Sequence, residues 1–265
     1  MKQGKHTLEG GERMARITTV LNQKGGVGKT TTAHALATGL NHKGYKALVV
    51  DADPQGNISY TMQTDPTQTG LYEAMKGIIT AADTIQHTAQ GDLISSSIDL
   101  AGADMEFTQT GREYLLREAL DTISSDYTHV IIDSPPSLGI LTVNALTAST
   151  DLIIPIGAEI YALQGLQQLL RTVGKVQKYS NPGLTIAGLL ITRKGNKAIA
   201  TRQLIDAIQK QAEALQIPLY DACIREAVAI REAQIMQGSL FDTHPHAKVT
   251  DDYNAFIGEY IKQGA

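Results

Sequence analysis

The stretch that decides the fold is a glycine-rich segment near the amino end, KGGVGKTT. It comprises Lys24, Gly25, Gly26, Val27, Gly28, Lys29, Thr30 and Thr31. An apolar, β-branched run at 17–21 precedes it, and a helical pattern from Ala33 to Leu40 follows it, with Gly44 as the expected stop. Strand, glycine-rich turn and helix in this order are the context of a phosphate-binding loop. The segment therefore predicts a nucleotide site.

Each residue type in this loop has a physical role. The three glycines let the backbone approach phosphate oxygens, so that N–H groups and the positive end of the next helix form an anion nest. We expect Lys29 to hold the β- and γ-phosphates, Thr30 to bind Mg²⁺ and Thr31 to face the α-phosphate. The sequence thus predicts ATP and Mg²⁺ as cofactors.

A first acidic motif follows the apolar run at 47–50 and contains Asp51 and Asp53. A buried parallel strand reads as a continuous apolar run, and ligands gather at the carboxyl ends of such strands. We predict that Asp53 orients the attacking water and that Asp51 belongs to the Mg²⁺ shell or contacts Lys24. The alternative is that both carboxylates only cap a turn before Pro54.

A second acidic motif is Asp133, which follows the aliphatic run at 130–132. A strand that ends in an aspartate is typical of the Walker B motif, where the carboxylate binds Mg²⁺ through water. The pattern is common in other proteins, so its value comes from its place after the loop and the first acidic motif.

The loop resembles that of the deviant Walker A ATPases, whose loop reads KGGxGKT. Lys24 stands at their signature-lysine position. The resemblance implies an ATP sandwich homodimer in which Lys24 reaches the nucleotide of the partner subunit.

The chain as a whole resembles the ParA/Soj family of partition ATPases over most of residues 15–260. The blocks that carry the resemblance are 22–24, 53–57, 97–101, 133–139 and 158–166. The resemblance implies an ATP-hydrolysing switch whose dimer binds double-stranded DNA nonspecifically and segregates plasmid, chromosome or mobile-element DNA with a ParB-type adaptor. It implies a cytoplasmic, nucleoid-associated protein. Two departures are Gly157, where the family usually has glutamine, and the stretch 192–196, which only loosely resembles the family's Tyr-Asp-rich loop.

Alternating apolar runs and helical patterns predict the architecture. Further strands are expected at 152–156 and 186–192, with a helix at 164–178 between them. This alternation predicts an α/β fold with a doubly wound, mostly parallel sheet flanked by helices. We expect residues 14–265 to form a single domain.

Residues 1–13 have no strand or helical periodicity and precede a second methionine, Met14. We expect a disordered tail or a mis-assigned start. The loop also begins too early for the N-terminal helix-turn-helix domain of the longer partition ATPases, so we expect the short form.

Composition excludes several classes of protein. The chain has 265 residues, 42% of them apolar. It contains no run of 18 apolar residues, so we expect no membrane-spanning helix. Its one cysteine, Cys223, excludes a disulfide framework. It also argues against the iron-protein branch of the deviant Walker A ATPases, whose members need two cysteines per subunit. With a net charge of −4, affinity for DNA must be local.

Three clusters of cations are candidates for such local DNA contacts. They are Arg171, Lys175 and Lys178; Arg193, Lys194, Lys197 and Arg202; and Arg225 with Arg231. Each cluster taken alone is also compatible with an ordinary solvated face. The resemblance favours DNA, because dimerisation would double every patch.

Two alternative functions stay open at this point. A MinD-like membrane-associated ATPase would carry a basic amphipathic helix at the carboxyl end, but the segment from Asp251 has Lys262 as its one cation. An ATP-gated DNA-binding regulator with incidental hydrolysis is the other alternative, and the intact aspartates argue against it.

Overall fold

A computed structural model describes residues 15–158, 162–195 and 199–264. Its strands are β1 (Arg16–Val20), β2 (Ala47–Asp51), β3 (Ile85–Thr88), β4 (Gly91–Ile94), β5 (His129–Asp133), β6 (Asp151–Gly157), β7 (Thr185–Lys194) and β8 (Leu219–Arg225). Its α-helices are α1 (Lys29–His42), α2 (Asn57–Thr61), α3 (Leu71–Met75), α4 (Ala103–Glu106), α5 (Leu115–Asp121), α6 (Ile140–Ala148), α7 (Ala162–Tyr179), α8 (Ile199–Leu215), α9 (Val228–Ile235), α10 (Leu240–Thr243) and α11 (Lys248–Gln263).

The strands form a single sheet with the order β3-β4-β2-β5-β1-β6-β7-β8. Every pairing is parallel except that of β3 with β4, which are joined by a tight hairpin. Strands β2 and β5 are buried along their whole length. Continuous burial explains their unbroken apolar sequences, because both faces of a parallel sheet are covered. The predicted fold class is confirmed.

Helices cover the two faces of the sheet. Alternate residues of β2 divide between them: Val49 packs with α1 and α11, whereas Leu48 and Val50 pack with α3 and α5. Helices α7 and α8 share the core that covers β6 and β7. Both helices therefore lie on the same face, so cations on their exposed sides lie on the same side of the sheet.

The carboxyl-terminal helix α11 belongs to the core. Tyr253, Phe256 and Tyr260 are each at most 1% exposed, so the apolar face of the helix is covered by the sheet and by α1. Arg16 fixes its end, donating from Nη1 to the Tyr260 carbonyl at 2.7 Å and from Nε to Asp151 at 2.6 Å. This burial leaves the helix no apolar face for a membrane surface, which argues against the MinD-like alternative.

The predicted elements differ from the structure mainly at their ends. Strand β7 continues beyond the predicted limit at 192 to Lys194. In α8, Ile208 and Ala212 are buried in the core, whereas Leu215 is 36% exposed at the helix end. The predictions for residues 1–13 and Met14 concern residues outside those described.

Gly39 in α1 makes a close helix contact that a side chain would disrupt. A Cβ at this position would lie 2.3 Å from Ile257 Cδ1 and 2.8 Å from Phe241 Cζ, both in the core. We expect Gly39→Ala to lower the free energy of unfolding by about 2 kcal/mol, because overpacking outweighs the gain in helix propensity. Urea unfolding measures this.

Gly174 in α7 is the matched control, since a Cβ there would meet nothing within 4 Å. Gly174→Ala should stabilise the fold by about 0.5–1 kcal/mol. Equal effects of the two substitutions would contradict the packing account.

Candidate functional site

The phosphate loop connects β1 to α1. Gly26 and Gly28 have φ values of 72° and 84°, in the left-handed region that favours glycine, and α1 begins directly after them at Lys29. Thr30 and Thr31 follow in the first turn of the helix. The predicted geometry of a phosphate-binding nest at a helix amino end is therefore present.

Three hydrogen bonds, made by Asn22 and Lys29, hold the start of this loop. Asn22 donates from Nδ2 to the Pro155 carbonyl at 2.6 Å and accepts from the Lys24 backbone N–H at 3.0 Å. Lys29 folds back and donates from Nζ to the Lys24 carbonyl at 3.2 Å. Burial lowers the pKa of Lys29, and the charges of Asp133 and Asp53 partly oppose this shift.

Asp51 and Asp133 lie side by side. They are register partners at the carboxyl ends of β2 and β5, and Val20 pairs with Asp133 from the other side, just before the loop. Because these three strands are neighbours, both carboxylates lie at the edge of the sheet from which the loop emerges. The structure thus brings Asp51, Asp133 and the loop together as predicted.

Asp51 already has hydrogen-bond partners. Its Oδ2 accepts from the backbone N–H and the hydroxyl of Ser59 at 2.9 and 2.7 Å, and its Oδ1 accepts from the Asp53 N–H at 3.3 Å. Burial raises the pKa of Asp51 to about 6, while these hydrogen bonds oppose the shift. Asp51 therefore anchors the start of α2, and its place in the Mg²⁺ shell stays a prediction.

Asp133 is in the opposite situation. It is fully buried, and neither carboxylate oxygen has a hydrogen-bond partner of good geometry. Burial and the neighbouring charge of Asp51 raise its pKa well above the ordinary value, with smaller opposing effects from the Thr30 hydroxyl and Lys29. An unsatisfied buried carboxylate beside a threonine hydroxyl is a donor set that suits Mg²⁺.

Asp53 sits in the turn between β2 and α2. Its Oδ1 accepts from the Gln55 N–H at 3.0 Å, and its carbonyl accepts from the Ser96 hydroxyl at 2.6 Å. The carboxylate is 8% exposed and close enough to Lys29 to affect its pKa. The turn-capping alternative is therefore realised, and it is compatible with a second role in orienting water.

A cavity of about 190 Å³ adjoins the loop on the β7 and β8 side. It is lined by Gly28, Thr192, Arg193, Glu226 and Ile230 among others. Its position beside the nest suits the base and ribose of a nucleotide. A larger groove of about 840 Å³ lies near the β3–β4 hairpin and contains none of the predicted site residues.

Members of the first two cation clusters lie on the helices α7 and α8, which cover the same face of the sheet. Arg171, Lys175 and Lys178 are exposed on α7, opposite its buried stripe, and Arg202 is exposed on α8. Lys194 is exposed at the end of β7. Lys197 lies outside the described residues.

The other predicted cations have local partners. Arg193 donates to the phosphate loop, and Arg225 makes a bidentate pair with Asp252, with both distances at 2.6 Å. Arg225 and Arg231 line the cavity beside the loop rather than the α7–α8 face. The contact of Arg193, Arg225 and Arg231 with DNA stays a prediction, since all three line this cavity.

Sequence reasoning missed Ser59 and Thr192, and it assigned Arg193 to DNA contact and not to the phosphate loop. Ser59 holds Asp51, and Thr192 and Arg193 hold the loop from β7. A serine two residues into the helix after the acidic motif could have suggested the first contact. The contacts of Thr192 and Arg193 depend on the pairing of β7 with β6, which no local pattern reveals.

The burial of Asp133 predicts a pH-dependent effect of substitution. A raised pKa means that the folded state keeps this proton to higher pH, so the contribution of Asp133 to stability falls as pH rises above its ordinary pKa. In Mg²⁺-free buffer, Asp133→Asn should leave stability nearly unchanged at pH 4.5 and raise it by more than about 1 kcal/mol at pH 7.5. Thermal unfolding in EDTA measures both. A destabilised variant at pH 7.5 would contradict this assignment.

Within the described part of the chain, no helix has the length and apolarity that a membrane crossing requires.

Comparison with known proteins extends these observations. A family model described as an AAA domain matches residues 15–186. The chromosome partitioning protein ParA of Caulobacter vibrioides is 40% identical over 225 residues, covering 82% of this chain and 83% of the relative. The sporulation initiation inhibitor protein Soj of Bacillus subtilis is also 40% identical over 225 residues, with coverages of 83% and 88%.

A solved structure gives the same fold. It is described as cobyrinic acid a,c-diamide synthase from Mycobacterium smegmatis with bound ATP analog and magnesium, and it is 32% identical with a TM-score of 0.84. The likeness covers 94% of this chain and 95% of that one. With its phosphate loop, its paired aspartates and 40% identity to two partition proteins, the chain belongs to the ParA/Soj family of partition ATPases.

Proposed function

We propose that the protein is a Mg²⁺-dependent ATPase that acts as a partition switch. The observation that carries the proposal is the unsatisfied buried carboxylate of Asp133 beside Thr30 and Lys29, at the base of a phosphate-binding nest. Such a carboxylate is costly in the folded protein unless a cation joins it. The solved relative described with a bound ATP analog and magnesium supports the same cofactors.

The residues divide the work of phosphoryl transfer. Backbone N–H groups of the loop bind phosphate oxygens, and the Lys29 ammonium leaves the Lys24 carbonyl to pair with the β- and γ-phosphates. Asp53 orients the attacking water and accepts its proton. Thr30, Asp51 and Asp133 would hold Mg²⁺, Asp133 through water, and the ion would supply charge neutralisation on the phosphates when bound.

ATP then controls assembly. Lys24 reaches the nucleotide of the partner subunit, so the ATP-bound chain forms a homodimer. The dimer binds DNA nonspecifically through the exposed cations of α7, β7 and α8, doubled by the two-fold axis. Hydrolysis, accelerated by a ParB-type adaptor, releases the dimer from DNA. The protein is accordingly cytoplasmic and nucleoid-associated, and it moves plasmid, chromosome or mobile-element DNA.

The partition relatives carry this proposal in preference to the synthase likeness. Their identity to the chain is 40%, against 32% for the synthase structure. The exposed cations of α7 also provide a surface that could contact DNA phosphates.

Light scattering during size-exclusion chromatography tests the switch. We expect Asp53→Ala to be dimeric with Mg²⁺ and ATP, and monomeric with ADP or with ATP and EDTA. The double variant Lys24→Ala/Asp53→Ala should stay monomeric in every condition. A mass that does not depend on nucleotide would overturn the proposal.

A further inference from the structure

The end of β7 contacts the phosphate loop through two consecutive side chains. Arg193 donates from Nη1 to the Gly26 carbonyl at 3.0 Å. Thr192 donates from Oγ1 to the Val27 carbonyl at 2.7 Å. Thr192 is buried and Arg193 is half exposed at the rim of the cavity beside the loop. Two successive peptide units of the loop are thus held from the same side.

The geometry of the peptide bond gives these contacts a consequence. In a planar trans peptide, the carbonyl and the N–H of the same unit point in opposite directions. A Gly26 carbonyl directed at Arg193 therefore directs the Val27 N–H away from β7, and a Val27 carbonyl directed at Thr192 does the same for the Gly28 N–H. These are the N–H groups of an anion nest, so the β7 side chains set their direction.

The arginine is itself held in place. Its Nη2 lies 3.5 Å from the Glu226 carboxylate, and the Glu226 N–H donates to the Lys194 carbonyl next in the chain. The backbone of Arg193 has a φ of 52°, in the left-handed region that non-glycine residues rarely adopt. Such a conformation persists where the surrounding structure over-determines it. Here, the contacts on both sides of the guanidinium supply that constraint.

We propose that Arg193 is a positioning residue for the phosphate loop, acting with Thr192 to fix two peptide planes so that their N–H groups meet phosphate oxygens. The inference rests on the proposed function, because it assumes that the loop binds nucleotide phosphates. Arg193 acts through the loop backbone and needs no contact with the base.

Arg193→Gly is the decisive variant. Glycine accepts the left-handed backbone without strain, so the substitution removes the guanidinium and keeps the local conformation. We expect the dissociation constants for MgADP and MgGDP to rise together, each about tenfold. This factor corresponds to the loss of one hydrogen bond from a charged donor. The melting temperature should not fall. Isothermal titration and competition with a fluorescent nucleotide measure the affinities.

Two further comparisons separate the side chain from the backbone. Gln216→Gly is the matched control, because Gln216 also has a positive φ, 54°, and does not line the cavity beside the loop. It should leave both affinities unchanged. Thr192→Val removes the hydroxyl donor at constant shape and should weaken both nucleotides severalfold, whereas Thr192→Ser should restore them.

Each result has a clear meaning. Unchanged affinities in Arg193→Gly and Thr192→Val would overturn the inference while leaving the proposed function intact. A loss confined to MgADP would also overturn it, because it would assign Arg193 to the base. A wild-type protein that binds neither nucleotide would overturn the proposed function and this inference with it.

Discussion

Replacing Lys29 with alanine is expected to lower kcat/KM for ATP about a thousandfold. A charge that stabilises the transferring phosphoryl group is worth two to five powers of ten in comparable sites. Lys29 is 7% exposed and lies at the base of the nest, within the electrostatic range of Asp133 and Asp53. Phosphate release at several ATP concentrations measures the loss.

The stability of the same variant separates chemistry from folding. Burial lowers the pKa of Lys29, so its charge is costly in the nucleotide-free protein. The melting temperature of Lys29→Ala should therefore stay constant or rise. Lys43→Ala, an exposed position just beyond the same helix, is the control and should keep full activity. Hydrolysis within tenfold of wild type in Lys29→Ala would contradict the assignment.

The second large effect is expected at Asp53. Asp53→Asn should lower kcat about a hundredfold, because an amide cannot accept the proton of the attacking water. The asparagine oxygen can still accept from the Gln55 N–H, so the turn after β2 is kept. The affinity for ATP should change by less than about threefold, since binding does not need this proton transfer.

This variant distinguishes the two roles that the sequence left open for Asp53. A residue that only caps the turn would tolerate asparagine, and kcat would then be unchanged. Single-turnover hydrolysis with saturating protein measures the chemical step directly. Full activity in Asp53→Asn would move the search for the water-orienting group to Asp51.

The fold and the centre of the site were predictable because their signals are local. The apolar run at 47–50 is unbroken because β2 is buried on both faces. The two glycines with positive φ in the loop can be recognised directly in the sequence motif. Asp51 and Asp133 were expected at one site because each follows an apolar run, and the pairing of β2 with β5 places them side by side.

What could not be predicted depends on contacts distant in the sequence. Thr192 and Arg193 reach the loop across 165 and 167 residues, and Ser59 reaches Asp51 only because α2 turns back at Gly56. The spacing of cations in the sequence likewise does not show which of them form ion pairs with carboxylates in the fold. Arg225 was grouped with possible DNA contacts, yet Asp252 of α11 binds its guanidinium.

The arrangement of the cations refines the proposed DNA surface. Arg171 and Lys175 lie on α7 and Arg202 on α8, and the buried sides of both helices pack in the same core cluster. Substitutions on this face should reduce DNA affinity in proportion to the phosphates contacted, and they should leave nucleotide binding unchanged.

Binding of nonspecific duplex DNA in the presence of ATP, ADP or no nucleotide tests the central claim most directly. The account predicts binding by wild-type protein with Mg²⁺ and ATP alone, weakened steeply by salt. Asp53→Ala should retain this binding without hydrolysis, and Lys24→Ala should lose it. DNA binding that is independent of nucleotide, or absent in all conditions, would contradict the ATP-controlled switch.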